Sequence, residues 1–371
     1  MVSCIAYPFS EMALSTIKIL REKSIYKDIK LVVPKGWFLI EQHKSVDAGR
    51  ITWGEEIGYV MSNDFEEALE NRDTVIFLDS PNASLIKKDC YEKMIMCAKL
   101  GKNIICCMNI EKEFADEVSN ICKSNNKRYK DYSDKIISEY DINDKLYNIE
   151  TPIVCIGCLF PDIGYQCDAL FLAEILSKQG YKVSVVSKNG NVKLAGGFII
   201  PNAEEGMLDS SYIVQINHFV KMIEKHTYPD IILIDIPGAM MKYTNEIHNN
   251  FAIDAFCFSQ ALDIDYFILK SLIGEYPEEF YCRLSECFEH KYGFGIDKVC
   301  IDNRIIDISE SLEFRQVVYN YVPNGMVNDY IKEACEDRAT EYLLNIHNQE
   351  TYLKIASSIV ENLSSEENVA V

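Results

Sequence analysis

The stretch PIVCIGCLFPDIGYQCDALFLAEIL, residues 152–176, decides how the chain is read. Its apolar run, residues 153–160, stops at Pro161-Asp162; Gly164 follows, and then an amphipathic segment begins. Strand, loop and helix in that order outline a phosphate-binding loop. In such a loop backbone N–H groups at the helix N-terminus surround the phosphates, a lysine reaches their oxygens and a hydroxyl holds Mg²⁺. Here six residues separate Gly157 from Gly164, where the motif has about four, and Tyr165-Gln166 stands where lysine and then serine or threonine would. The helix N-terminus still attracts anions, but the lysine charge and the metal ligand are missing, so Mg-NTP hydrolysis is not expected at this loop. Gly157, Asp162, Gly164 and Gln166 are the candidate cofactor-binding residues. The ligand would be a phosphate-bearing group, with ATP, GTP and coenzyme A as candidates. The competing reading is a plain strand-to-helix turn.

Downstream, PDIILIDIPGAMM carries an apolar strand ending in Asp235, with Gly238 three residues on. An aspartate at a strand end commonly supports Mg²⁺ beside phosphates, and function gathers at the carboxyl edge of such sheets. Gly238 therefore joins the cofactor-binding candidates, and Asp235 is a catalytic candidate. KYTNEIHNN then places Thr244, Asn245, His248, Asn249 and Asn250 together. His248 is a second catalytic candidate, as a general base. Asn245, Asn249 and Asn250 are candidates for binding a polar substrate group, although asparagines also serve turns.

The pattern around this stretch is α/β. VSCIAYP, IKLVVPKG, IGYVMS, TVIFLDS and NIICCM are short apolar runs, and helical spacing lies between them, as in EMALSTIKILREK, SLIKKDCYEKMIMCAKLGK and EKEFADEVSNICKSN. Ser10 is placed to cap the first of these helices. Strands alternating with helices predict a parallel, doubly wound sheet. The polar stretch 125–150 has no strand-like run and reads as a linker; then PIVCIGCLF, KVSVVSK, IILIDIPG, DYFILKS and DKVCIDN restart the alternation. The expected architecture is two doubly wound Rossmann-like domains, the second resembling a degenerate P-loop NTPase domain, with C-terminal helices. The boundaries are 1–124, a linker 125–150, 151–324, and a helical segment 325–371.

In the first domain, Lys35 and Trp37 fall just past a strand and are candidates for contacting a substrate. Tyr7-Pro8-Phe9 ends the first strand where a dinucleotide fold needs G-x-G-x-x-G, so NAD binding of that kind is not expected.

The balance of Lys+Arg 37 against Asp+Glu 57 gives a net charge of −20. A surface so acidic argues against nucleic acid and anionic membranes as partners. No run of eighteen or so apolar residues occurs, and the N-terminus lacks a signal-peptide pattern. The fourteen cysteines lie in apolar runs and helices, as expected of reduced thiols in a cytoplasm. Cys155, Cys158 and Cys167 raise a redox or metal reading. Positions i and i+3 of a strand face opposite ways, however, and no second Cys/His pair completes a ligand set, so no metal is expected.

The stretches AYPF, LVVPKGW, EEIGYVMSNDFEEALENRDTVIFLDS and PDIILIDIPGAMM…NNFAIDAFCFSQAL resemble the clostridial peptide maturation system protein family, over residues 7 to about 271. The resemblance implies a role beside a radical SAM enzyme in maturing a ribosomally made, bacteriocin-like peptide. It implies no reaction and carries over no catalytic residue. The leading expectation is an accessory protein that binds precursor peptide or modifying enzyme; the alternatives are an enzyme that uses ATP or coenzyme A for peptide acylation or ligation, and a redox or metal protein acting through Cys155, Cys158 and Cys167.

Overall fold

The computed structural model describes residues 2–35, 61–80, 83–132, 145–161, 168–203, 209–277, 279–334 and 342–366. The chain is α/β and forms two compact units. The first holds the described residues before 137 and also takes in the 3-10 turn Gly190–Ala195; the second holds the rest of the core.

In the first unit the elements run β1 (Val2–Tyr7), α1 (Leu14–Glu22), β2 (Tyr26–Val32), β3 (Met61–Ser62), α2 (Phe65–Leu69), β4 (Thr74–Phe77), α3 (Lys87–Lys99), β5 (Asn103–Cys106), α4 (Lys112–Ser124) and β6 (Tyr129–Asp131). The strands lie in the order β3-β2-β1-β4-β5-β6, all parallel. That is the Rossmann order. The period of two in a strand explains the two cores. Ile5, Tyr7, Val75 and Phe77 pack with Phe65, Met94 and Val118 of the helices on one face. Cys4, Ala6, Ile76 and Leu78 pack with Leu14, Ile17 and Leu20 of α1 on the other. Apolar side chains on both faces produce the near-continuous apolar runs of the sequence.

The rest of the fold comprises β7 (Ile153–Cys158), α5 (Asp168–Lys178), β8 (Val183–Ser187), β9 (Phe198–Ile199), α6 (Asp209–Thr227), β10 (Ile231–Ala239), α7 (Ile253–Ala261), β11 (Tyr266–Leu272), α8 (Phe280–Tyr292), β12 (Lys298–Asp302), β13 (Arg304–Asp307), α9 (Ile308–Phe314), β14 (Val318–Tyr321), α10 (Asn324–Ala334), β15 (Leu343–Asn345) and α11 (Gln349–Glu366). Its sheet runs β15-β12-β11-β7-β10-β8-β9, and β7, the strand of the opening stretch, is central in it. A separate antiparallel pair, β13 and β14, projects beyond β12.

Four expectations are corrected. The stretch 125–150 is not all linker, because Tyr129–Asp131 is the sixth strand of the first sheet. An edge strand has one neighbour and tolerates the polar sequence YKD, so it leaves no apolar signature. The segment 325–371 is not all helical, because Leu343–Asn345 pairs with β12. The turn Gly190–Ala195, placed by sequence in the second domain, is part of the first unit. Ser10 does not cap α1 with its side chain; its hydroxyl is buried without a hydrogen bond, and a 3-10 turn at Glu11–Ala13 precedes the helix. Among the described residues no helix is long and apolar enough to cross a membrane.

Candidate functional site

At the centre of the second sheet, β10 lies beside β7, so the aspartate strand does neighbour the strand of the opening stretch. Asp235 is not at the strand end, however. It pairs with Ile156, and the next pair is Ala239 with Cys158, so β10 bulges between them. Gly238 sits in that bulge at φ +77°, a conformation that L side chains resist. Gly157 has a different role from the one its place in the motif suggests. It lies inside β7, and a Cβ there would come within 2.7 Å of the Phe267 ring and 2.9 Å of Met240 Sδ. Its smallness serves close packing. Asp162, Gly164 and Gln166 fall outside the described residues.

The carboxyl edge of this sheet holds a set of buried charges that sequence reasoning missed. Lys270 on β11 pairs in register with Cys158 of β7 on one side and Cys300 of β12 on the other. It is 2% exposed. Its ammonium donates to Oδ2 of Asp168, the first residue of α5. The Tyr352 hydroxyl, from α11, donates to the other oxygen of that carboxylate at 2.6 Å. One step further along β12, Asp302 accepts two hydrogen bonds from Arg304, from Nε at 2.8 Å and Nη2 at 3.0 Å. The Arg304 guanidinium lies 5.7 Å from the ring centroids of both Tyr319 and Tyr321 on β14. His347, just past β15, brings Nε2 to 3.8 Å from Asp302 Oδ2 and accepts the Asn303 N–H at 3.3 Å.

The electrostatics follow from burial opposed by close partners. Burial pushes the Lys270 pKa down, but Asp168, Cys158 and Asp302 together outweigh it and the net direction is up, so the lysine stays charged. Burial pushes Asp302 up, and Arg304 outweighs it, so the carboxylate sits below its ordinary range. Burial pushes the Tyr352 hydroxyl well up, with Asp168 adding to it. The result is two buried ion pairs, each held by hydrogen bonds of its own, Lys270 with Asp168 and Arg304 with Asp302. Asp302 and Lys270 each stand among apolar strand residues (KVCID, FILKSL). A charge inside a buried parallel strand is the signal that could have found them.

Burial lowers the His347 pKa, although Asp302 opposes it. A histidine depressed in the fold takes up its proton first in the unfolded chain, so the stability it contributes is lost as pH falls below about 6.5. The second unit is expected to be less stable at pH 5.5 than at pH 7.5, with a slope from this residue of at most about 1.4 kcal/mol per pH unit. Urea unfolding at several pH values measures it, and His347→Gln should flatten the curve in that window.

The remaining expectations are placed as follows. Asn245 accepts from Lys242 at 2.9 Å, and the Thr244 hydroxyl caps Ile247 N at 3.0 Å. Asn249, Asn250, Phe251 and Ala252 all have φ between 48° and 59°, forming a left-handed turn ahead of α7. Asparagine tolerates that region, so Asn249 and Asn250 suit the turn. His248 is exposed and stacks on Phe251 at 4.5 Å. Lys35 lines a cavity of the first unit; Trp37 falls outside the described residues. Cys155 and Cys158 are buried in β7, and burial pushes both thiols up, Cys158 to about 12, far from the thiolate that a nucleophile or metal ligand needs. Cys167 is outside the described residues. Among the described residues, no group of three or more His, Cys, Asp or Glu could hold a metal ion.

The chain matches no family model and no curated protein. Among solved structures it is similar to a DUF1611 family protein from Anabaena variabilis ATCC 29413, at 11% identity and a TM-score of 0.59, over 96% of this chain and 99% of that one. That likeness establishes the fold alone. It is far weaker to chloroplast FtsY of Physcomitrella patens (14% identity, 79% of this chain and 82% of that one, TM-score 0.28) and to 3-hydroxyisobutyrate dehydrogenase of Mycobacterium tuberculosis (16%, 35% and 40%, TM-score 0.26). At those scores neither bears on this protein.

Proposed function

We propose that this chain is an enzyme that holds a phosphate-bearing cofactor, ATP or coenzyme A, at the carboxyl edge of its second sheet, for acylation or ligation of a ribosomally made peptide. One observation carries the reading: Lys270 reaches the start of α5 from the neighbouring strand, supplying the cation that the loop lacks at Tyr165. The described residues fit a phosphate. Lys270 and Arg304 are its cationic partners, and Asp168 and Asp302 keep both charged inside a buried edge. The bound cofactor would supply an activated phosphoryl or acyl group. Tyr319 and Tyr321 hold the Arg304 guanidinium in orientation, and Tyr352 fixes the Asp168 carboxylate. Burying two ion pairs costs more desolvation than apolar residues of the same volume would, and a ligand-handling role accounts for keeping them. The peptide as substrate rests on the resemblance to the clostridial maturation proteins.

Calorimetry with coenzyme A and ATP, with and without Mg²⁺, tests this. Wild type is compared with the charge-neutral double variant Asp168→Asn/Lys270→Met, and thermal melting checks that both are folded. Saturable binding that weakens about tenfold or more in the double variant is expected, as for the loss of one hydrogen bond to a charged group. No binding to wild type, or unchanged binding to the folded variant, would overturn the reading.

A second reading, an accessory protein that binds the precursor peptide or the radical SAM enzyme, is favoured by α9, where Ile308, Leu312 and Phe314 are 62%, 47% and 59% exposed. If it holds, Leu312→Glu abolishes co-purification with those partners and leaves cofactor binding untouched.

A further inference from the structure

We infer that the first unit binds an unphosphorylated nucleoside in the cavity at the carboxyl ends of β1, β2 and β3. This site is independent of the one in the second unit. In a sheet ordered β3-β2-β1-β4-β5-β6 a dinucleotide crosses the crevice between β1 and β4, one half of it on each side. Here the β4 side is filled from within the unit. Asn191 accepts from Asp79 N at 2.8 Å and donates to Asp79 O at 3.0 Å. Gly190 N donates to Asp79 Oδ2 at 2.9 Å, and Asn189 donates to Met12 O at 2.7 Å. Gly190 lies so close to Cys107 that a Cβ would sit 2.3 Å from its carbonyl oxygen. The turn after β1 is the buried Pro8-Phe9 rather than a glycine cradle, so no pyrophosphate can approach the backbone there.

Among the described residues the other side is open. Its cavity measures about 630 Å³ and falls within the range of small-molecule sites. Val33, Ile86 and Met96 give it an apolar wall on which a flat base can lie. Among the described residues the charged lining comprises four carboxylates, Asp64, Glu66, Asp89 and Glu92, against two ammonium groups, Lys35 and Lys93, a balance of 2 − 4 = −2, with Asn63 as an uncharged polar neighbour. Lys93 is already committed, bonded to Asp89 and lying 5.2 Å over the Tyr7 ring and 5.4 Å over Phe65. A site with that balance repels phosphate. Carboxylates accept from ribose hydroxyls, and here Asp64 and Glu66 follow β3 while Asp89 and Glu92 come from α3. Apolar wall, hydroxyl acceptors and rejection of anions together specify a nucleoside without its phosphate.

Calorimetry on the full chain, in the wild type and in the Asp168→Asn/Lys270→Met background that weakens the second-unit site, uses adenosine, AMP and spermidine as probes. Adenosine is expected to bind saturably and AMP about fivefold or more weakly. Met96→Trp fills the cavity and is expected to weaken adenosine about tenfold or more, with melting as the check on folding. The exposed Glu92→Lys is expected to shift the adenosine-to-AMP preference toward AMP about threefold or more, and it decides the matter if Met96→Trp fails to fold. The inference is overturned if adenosine does not saturate, if AMP binds as well, if spermidine binds in its place, or if Glu92→Lys leaves the preference unmoved.

Discussion

Lys270→Met alone is expected to destabilise the second unit by about 3–5 kcal/mol, the loss seen when one partner of a buried ion pair is removed. Methionine nearly matches the stem in volume, so the cost is not a cavity. It comes from Asp168, 3% exposed, which keeps a carboxylate near Cys158 and Cys300 with, among the described residues, the Tyr352 hydroxyl as its remaining hydrogen-bond donor. Adding Asp168→Asn removes the stranded charge and is expected to recover most of the loss. Chemical denaturation of the four members of that cycle measures the coupling between the two residues. If Lys270→Met unfolds at the same denaturant concentration as wild type, the pair does not have the buried, ion-paired character described, and the proposed cofactor site loses its main support.

Gly190→Ala is expected to cost the first unit about 3 kcal/mol or more, at or beyond the upper end for overpacking. A Cβ at this position meets the Cys107 carbonyl oxygen at 2.3 Å, and the Asp79 carboxylate at 3.1 Å. The carbonyl is backbone just past β5 and cannot swing aside as a side chain can. Gly157→Ala makes the comparison informative. It is also crowded, at 2.7 Å, but by the tip of the Phe267 ring and a methionine sulfur, which can shift; a smaller cost of about 1–3 kcal/mol is expected. Urea denaturation of both variants, followed by a probe specific to each unit, ranks them. A Gly190→Ala protein as stable as wild type would mean that the turn at residues 190–195 is not packed onto the first sheet, and the nucleoside argument would lose its closed half.

Much of the fold was legible. The runs IKLVVPKG, TVIFLDS, PIVCIGCLF, IILIDIPG and DYFILKS each proved to contain a strand, because a parallel strand covered on both faces needs apolar side chains on both. Besides the antiparallel pair β13–β14, the strands missed were those with little to bury. Tyr129–Asp131 is a polar edge, Phe198–Ile199 is two residues long, and Leu343–Asn345 is three. The site was less legible. Motif reading placed it at Gly157, Asp235 and His248, of which one is a packing glycine, one lies at a bulge and one is exposed on a left-handed turn. Lys270, Asp302 and Arg304 belong to no local motif, since each takes its meaning from a neighbour on another strand or from the edge that they share.

The sequence by itself determined the class of fold and the strand and helix within residues 152–176, since periodicity and apolar runs are local consequences of which faces are covered. It also determined that the loop carries no lysine of its own. Only the tertiary structure decided that β11 brings a lysine to the start of α5, and that residues 190–195 complete the first unit and not the second. Strand order and register bring together residues as much as 184 positions apart, as with Tyr352 and Asp168. No spacing along the chain encodes that proximity; it is fixed when the apolar faces of the strands and helices find their partners.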